Sequence, residues 1–510
     1  MFYPLLAILC ACSNLCFASA LIQNMTLEEK VGQLLMVHFH GETTNAEAQI
    51  LIQDTKVGGI IYYNWSNGLY SPTQVATLSA GLQKLTESNR IPLPLLIAAD
   101  QEGGIVSRLR QGFTEFPGNK ALGMTGDPEL AEAAAFAMGQ ELHAVGINMN
   151  LAPVVDINTN PRNPVIGIRS FGEDPETVIA FGKQALRGYR RAHIISTLKH
   201  FPGYGDVSVD PHHALPLINK SKAELEHMEL LPFAQLATSA DAIMTAHILV
   251  PALDEENCST LSEKTLTYLR ETLGFQGLIV ADSLVMEGVL TKCGTVDEAS
   301  IAALNAGCDL LILGGKLLIG EHSGFELTTP AVKRVHHSLV QAVKEGRISE
   351  ARLNQAVEKI LTLKNVQDPC ALAQKIAAAA LRIVQGDPRA LQEKNLCVIA
   401  PELLRSSINK TTLLHGKKSY FFETPDILAA LNQAQTADAL IICSYNAWKT
   451  PSQAALIHAL VNTGKPVYLL VTRDPLDATL FPRATCIINT FSPTPPSIQA
   501  ACDQFLPNSA

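Results

Sequence analysis

Eight short apolar runs, at 35–38, 59–63, 95–100, 147–153, 196–201, 242–248, 278–282 and 309–314, punctuate the first part of the chain. Each is strand-sized, and the segments between them carry helix start signals: Thr26 with Glu29, Ser221 with Glu224, and Ser262 heading 263–273, which Gly274 stops. Eight β units separated by helices over about 290 residues have the length and order of a (β/α)8 barrel. In such a barrel the chemistry collects where the strands end. Polar residues end or follow these runs: Asp100, Asp156, Lys199, His200, His247 and Asp282. The predicted topology therefore brings residues far apart in sequence to one rim.

A second unit follows. Residues 346–364 read as an amphipathic helix closing the barrel region, and 370–385 as an alanine-rich helix leading away from it. From 395 onward come five strand candidates, 396–400, 419–422, 439–443, 467–471 and 486–489, alternating with helices such as 425–433 and 452–461. That order predicts a doubly wound α/β sandwich. The fold class expected is thus α/β: a TIM barrel over 21–365, a helical linker over 366–394, and a smaller sandwich over 395–510. No glycine-rich dinucleotide fingerprint occurs in the sandwich, and Gly464 reads as a helix cap.

Composition narrows the function classes. With 510 residues, 47% hydrophobic and 17% charged, the chain is globular and long enough for several domains. A net charge of −9 gives no electrostatic footprint for nucleic acid or anionic membrane. There is no phosphate-binding Gly-x-x-x-x-Gly-Lys-Ser/Thr loop and no CxxC zinc pattern, and Cys308 and Asp309 have no neighbours at metal-ligand spacing. Residues 2–17 are almost continuously apolar, and Ala18-Ser19-Ala20 fits a cleavage site, so 1–20 reads as an export signal, albeit one without Lys or Arg at its start. Leu9-Cys10-Ala11-Cys12 alternatively reads as an imperfect lipidation box with Cys12 acylated. Either way an exported protein of the periplasm or cell envelope is expected, without a transmembrane span. The cysteines after that signal, Cys258 to Cys502, sit mostly in apolar stretches and are expected to be free buried thiols.

The motifs carry the chemistry. Lys199-His200-Phe201-Pro202-Gly203-Tyr204-Gly205 precedes Asp210-Pro211-His212. A carboxylate two residues from an imidazole can hold the ring in one tautomer and stabilise its charged form, as a general acid/base requires. An isolated Asp-x-His is usually no more than a polar loop. Here it resembles the loop of bacterial glycoside hydrolase family 3 β-N-acetylglucosaminidases, KHFPGHG followed four residues later by DSH, with Tyr204 in place of a histidine and Pro211 in place of a serine. Three further blocks extend the resemblance. Asp100-Gln101-Glu102-Gly103-Gly104 with Arg108 resembles DQEGGxVxR, and Gly167-Ile168-Arg169-Ser170-Phe171-Gly172-Glu173-Asp174-Pro175 resembles GxRxFGEDP. Ala281-Asp282-Ser283-Leu284-Val285-Met286 is similar to the family's Ser-Asp-Asp/Ser-Leu-x-Met, with Ala281 replacing the serine.

The resemblance implies an exo-acting, retaining enzyme that removes terminal β-linked GlcNAc from cell-wall muropeptides or chitooligosaccharides. It assigns Asp282 as nucleophile and His212, oriented by Asp210, as acid/base. Asp100, Arg108, Arg169, Lys199 and His200 would grip the terminal sugar; apart from a ligand, the same charges would make a rim salt-bridge network. The glycines at 103 and 104 would let backbone approach that ligand. His247 reads equally as a packed rim residue or a ligand contact, and Asp206 and His213 as loop residues. No metal or organic cofactor is implied, the partner expected is an oligosaccharide, and a monomer is expected. Three other readings stay open: a family 3 β-glucosidase taking its acid from Glu393, Glu402 or Glu423; a silent carbohydrate-binding relative; and a barrel lyase or aldolase using Lys199 as a Schiff-base amine.

Overall fold

A computed structural model describes residues 21–208, 215–316, 324–364, 376–391, 395–414 and 416–505. The chain divides into two compact units, Met1–Val366 and Gln367–Ala510. The export segment 1–20 with Cys12, the Asp210/His212 pair, and 366–375 and 392–394 of the linker lie outside the described residues.

In the first unit eight strands close into a barrel: β1 (Leu35–Val37), β2 (Gly59–Ile61), β3 (Leu96–Ala99), β4 (Met149–Asn150), β5 (Ile195–Phe201), β6 (Ala242–Thr245), β7 (Leu278–Ala281) and β8 (Leu310–Ile312). Every pairing is parallel, and β1 meets β8 to complete the ring. The strands are aliphatic and buried on both faces, since helices cover the outside and side chains fill the inside. Each expected strand is present, in the expected order.

The helices follow from local chemistry. Asp174 caps Pro175–Arg191 by accepting from Thr177 N, and Pro175 suits the first turn. That helix buries Val178, Phe181, Ala185 and Tyr189, spaced three or four residues apart, with Leu186 beside them. Burying the larger of these side chains stabilises by about 1.5–3 kcal/mol each. It lies against Glu129–Ala144 so closely that a Cβ on Gly188 would stand 2.4 Å from the Glu132 carbonyl oxygen. Thr26 and Ser221 form capping boxes with Glu29 and Glu224. Two expected helices differ in detail. The one headed by Ser262 is α-helical over Glu263–Thr267 and continues as a π-turn over Tyr268–Thr272 before Gly274, at φ +70. The barrel's last helix begins at Glu350, because Ser349 accepts from Arg352 N and caps it there; Gly346, at φ +74, follows the preceding helix.

The second unit is a six-stranded sheet of β9 (Arg382–Gln385), β10 (Leu396–Pro401), β11 (Lys418–Phe422), β12 (Ala439–Ser444), β13 (Val467–Val471) and β14 (Cys486–Asn489), ordered β9-β14-β13-β12-β10-β11. All pairings are parallel except β9 with β14. Alternate residues feed two cores: Ile399, Leu440 and Leu469 on one face, Val398, Ile441 and Leu470 on the other. The helical reading of the linker needs correction at 382–385. Ile383 and Val384 are β-branched, and β9 pairs with β14 as an exposed edge strand.

Among the described residues no helix is long and apolar enough to cross a membrane. The described cysteines are all free, and all but Cys293 are buried.

Candidate active site

The strand ends of the barrel open into one cavity of about 300 Å³, at the small end of the roughly 300–1,000 Å³ usual for ligand sites. Asp100 and Arg108 reach it from beyond β3, Arg169 from the loop after β4, Lys199 and His200 from β5, and Asp282 from the end of β7. All five proposed sugar contacts and the proposed nucleophile therefore share one cavity. Tyr63, Trp65, Met244, His247, Val285, Met286 and Lys316 also line it.

Successive residues of a strand normally face opposite ways, yet Lys199 and His200 both reach the cavity. The break in alternation coincides with a register shift between Leu198 and Phe201 in the β5–β6 pairing. The expected role of Gly103 and Gly104 is different from that observed. At φ +89 and +61 they turn a hairpin (Gln101–Gly103 with Val106–Ser107) that returns Arg108 to Asp100, and they do not line the cavity.

The charges interlock. Lys199 Nζ lies 2.9 Å from Asp100 Oδ1 and 2.7 Å from Glu102 Oε1. Arg108 Nη2 donates to Asp100 Oδ2 at 2.9 Å, and Arg169 donates twice to Glu102, at 2.9 and 2.8 Å. Burial alone would raise both carboxyl pKa values, but the cations outweigh it. Lys199 and Arg108 hold Asp100 far below the usual carboxylate range, and Arg169 and Lys199 bring Glu102 to about 2. Burial would likewise discharge Lys199, but Asp100 and Glu102 raise its pKa. A Schiff-base amine needs the opposite shift, so the aldolase reading loses its nucleophile.

His200 is held from behind. Its Nδ1 lies 2.7 Å from Asp156 Oδ2, and Asp156 also accepts from the backbone N–H groups of His200 and Tyr204. With Nδ1–H donating to that carboxylate, Nε2 is the acceptor, facing Arg169 Nη2 at 3.5 Å.

Asp282 stands apart from these pairs. It makes no ion pair among the described residues, and accepts from Ser283 N at 2.7 Å. Its turn is fixed on two sides: Ser283 Oγ donates to the Gly314 carbonyl at 2.6 Å, and His247 Nε2 donates to the Ser283 carbonyl at 2.9 Å. His247 is thus both a cavity residue and a support for the aspartate's turn.

Asp210 and His212 lie outside the described residues, but the described residues on either side of them are anchored. A Cβ on Gly205 would stand 1.6 Å from the Ile157 carbonyl oxygen, so only glycine passes there. Asp206 and Lys220 pair at 2.7 Å, joining the two flanks, and Lys220 also meets Glu229 at 2.5 Å. Sequence reasoning missed Glu102 as a network member, although it stands in the Asp100 block. It also missed Asp156 as the partner of His200, and Tyr63 and Trp65 as cavity wall.

Comparison with known proteins points one way. Residues 26–363 match the family described as glycosyl hydrolase family 3 N terminal domain. A beta-hexosaminidase A of Pseudoalteromonas piscicida is 33% identical over 394 residues, covering 70% of this chain and 64% of that protein. A beta-hexosaminidase of Pseudomonas aeruginosa is 34% identical over 302 residues, 59% of this chain and 86% of that one. Among solved structures, a glycoside hydrolase family 3 beta-N-acetylglucosaminidase from Paenibacillus sp. str. FPU-7 is 34% identical with a TM-score of 0.62, covering 94% of this chain and 97% of that chain.

Proposed function

The chain belongs to glycosyl hydrolase family 3, and from that premise we propose that it is an exo-acting, retaining β-N-acetylglucosaminidase releasing terminal β-linked GlcNAc from muropeptides or chitooligosaccharides. The observation that carries this reading is Asp282. It is a carboxylate without an ion pair among the described residues, in a cavity where Asp100 is paired with two cations. A nucleophile must reach the anomeric carbon with a free oxygen, whereas a carboxylate that only grips hydroxyls can share its charge with neighbouring cations.

Asp282 attacks the anomeric carbon as the glycosidic C–O bond breaks, giving a covalent glycosyl-enzyme. His212, oriented by Asp210, protonates the leaving oxygen and then deprotonates the water that opens the intermediate. Asp100, Arg108, Arg169, Lys199 and His200 hold the sugar through charge-assisted hydrogen bonds. The names of the relatives support hexosaminidase activity, and the motifs support the residue roles. The apolar start of the chain supports export to the periplasm or envelope, with Cys12 as an alternative lipid anchor. We assign the working unit as a monomer.

Two measurements test this. Purified protein should turn over an aryl β-N-acetylglucosaminide in strong preference to the matched β-glucoside; the reverse preference returns the β-glucosidase reading. His212→Ala should lose far more activity on a natural disaccharide than in the first step on a dinitrophenyl glycoside, and azide should restore turnover with retained configuration. Equal losses on every substrate, with no azide effect, place the acid elsewhere.

A further inference from the structure

Three side chains at the seam of the barrel have no role in the reaction just described. His38 and His40 follow β1, and Glu326 follows β8, so the group joins the first and last strands of the ring. One donor atom from each lies within 4.8 Å of the others. His38 Nε2 is 3.4 Å from Glu326 Oε2, and His40 Nε2 is 3.1 Å from Glu326 Oε1.

The two imidazoles approach different oxygens of Glu326, His40 at an ordinary hydrogen-bond distance and His38 at a longer one. Ligand bonds of 2.0–2.1 Å in a tetrahedron place ligand atoms about 3.3–3.4 Å apart, a spacing that the His38 Nε2–Glu326 Oε2 separation of 3.4 Å already meets. A 3.4 Å contact is long for a hydrogen bond. His38 is 4% exposed, and its Nδ1 has no partner among the described residues, so the imidazole is buried yet weakly satisfied. His40, with its side chain 53% exposed, gives an ion a way in from solvent and freedom to close the geometry.

We propose that His38, His40 and Glu326 bind a divalent transition-metal ion of the zinc class, stapling β1 to the segment after β8. Two imidazoles and one carboxylate select such ions over magnesium or calcium and leave a fourth position for water. The site adjoins the cavity through Trp65, whose ring centroid lies 5.0 Å from that of His38 and 5.6 Å from that of His40. Trp65 stacks on Tyr63, and both line the cavity. Metal binding would therefore fix one wall of the sugar site while taking no part in bond cleavage.

The test uses the full chain after chelator treatment. The protein has two tryptophans, so Trp448→Phe leaves Trp65 as the sole reporter. Titration with Co²⁺ should quench that fluorescence with about one equivalent and produce visible bands of a four- or five-coordinate ion, and Zn²⁺ should displace it. His40→Ala and Glu326→Gln should each weaken Zn²⁺ binding by at least about tenfold, with His212→Ala leaving it unchanged, the separation expected when a direct ligand is lost. Circular dichroism checks that each variant is folded, and the exposed His40 makes its variant the safest. No site tighter than millimolar in the parent overturns the proposal. So does binding equally tight in His40→Ala and Glu326→Gln, or binding that leaves Trp65 unquenched.

Discussion

The two units are built from the same materials and use their strand ends differently. In both, parallel aliphatic strands alternate with helices, and polar residues gather where the strands stop. In the barrel, closure forces eight strand ends into a ring, and residues as distant as Asp100 and Lys199 come within 2.9 Å. The second sheet is open, so its strand ends run along a line. A crevice of about 560 Å³ lies beyond β10, β11 and β12, where strand order reverses, and it is lined by Glu402, Glu423, Tyr445, Asn446 and Gln453. Among the described residues no lysine or arginine lines it. Its polar groups serve the fold: Gln453 accepts from Tyr445 N and donates to Tyr445 O, and Glu402 pairs with Arg405 nearby in sequence. Convergence, more than composition, separates a charged reaction site from a polar surface.

The sharpest way to break this contrast is to remove the unpaired carboxylate. Asp282→Ala should cut turnover roughly 10⁴-fold or more with the fold intact, and a fluoro-glycoside trap should label the peptide containing Asp282. A label on any second-unit carboxylate would erase the distinction between the units. Next in size is Lys199→Met, which strands Asp100 and Glu102 without their shared cation. Breaking a buried pair costs about 3–5 kcal/mol, read as a lower denaturation midpoint of the barrel and lost activity. A change below about 1 kcal/mol would show that the network contributes little to the fold.

Acid should act on the two units unequally. The pKa of Glu102 is held at about 2, against an ordinary 4.5, by Arg169 and Lys199, which overcome the effect of burial. A carboxyl depressed on folding lends stability that is complete above its unfolded pKa and is lost as pH falls through the folded one. Between pH 4.5 and 2 the barrel should lose on the order of 3 kcal/mol from this group. Among the described residues of the second unit the one ion pair, Glu402–Arg405, is exposed. Calorimetry at pH 7 and pH 3 should therefore show the barrel transition falling further than that of the second unit; parallel shifts would refute the assignment. The smallest effect is expected from Glu402→Gln and Glu423→Gln, each within about twofold of parent activity on a small aryl substrate, as for surface changes generally. A large loss at either would return the acid to the second unit.

The sequence made the strands legible because each is a short apolar run, several of them set off by helix start signals, and the motifs named the charged side chains one by one. Their pairings were not legible. Glu102 meets Arg169 and Lys199 across 67 and 97 positions, and nothing local marks that partnership. Asp156 was visible as a polar strand end but not as the carboxylate behind His200. The edge strand β9 was hidden for a related reason: the alanine-rich run before it sets a helical expectation, while its partner β14 lies about a hundred residues onward. The seam cluster joins His38 to Glu326 over 288 positions. Local chemistry is written locally, and convergence is written only in the closed ring.

The interlocked charges also bear on how such a site can change over generations. Asp100, Glu102, Arg108, Arg169 and Lys199 share partners, so a single substitution among them strands a neighbour, and two or more would have to change together. The wall from β6 to β8 is free of that constraint: Met244, Val285, Met286 and Ile312 are apolar and can be exchanged one at a time for residues of similar volume. New substrate preferences should therefore arise by stepwise drift on that side, with the other half of the cavity inherited as a block.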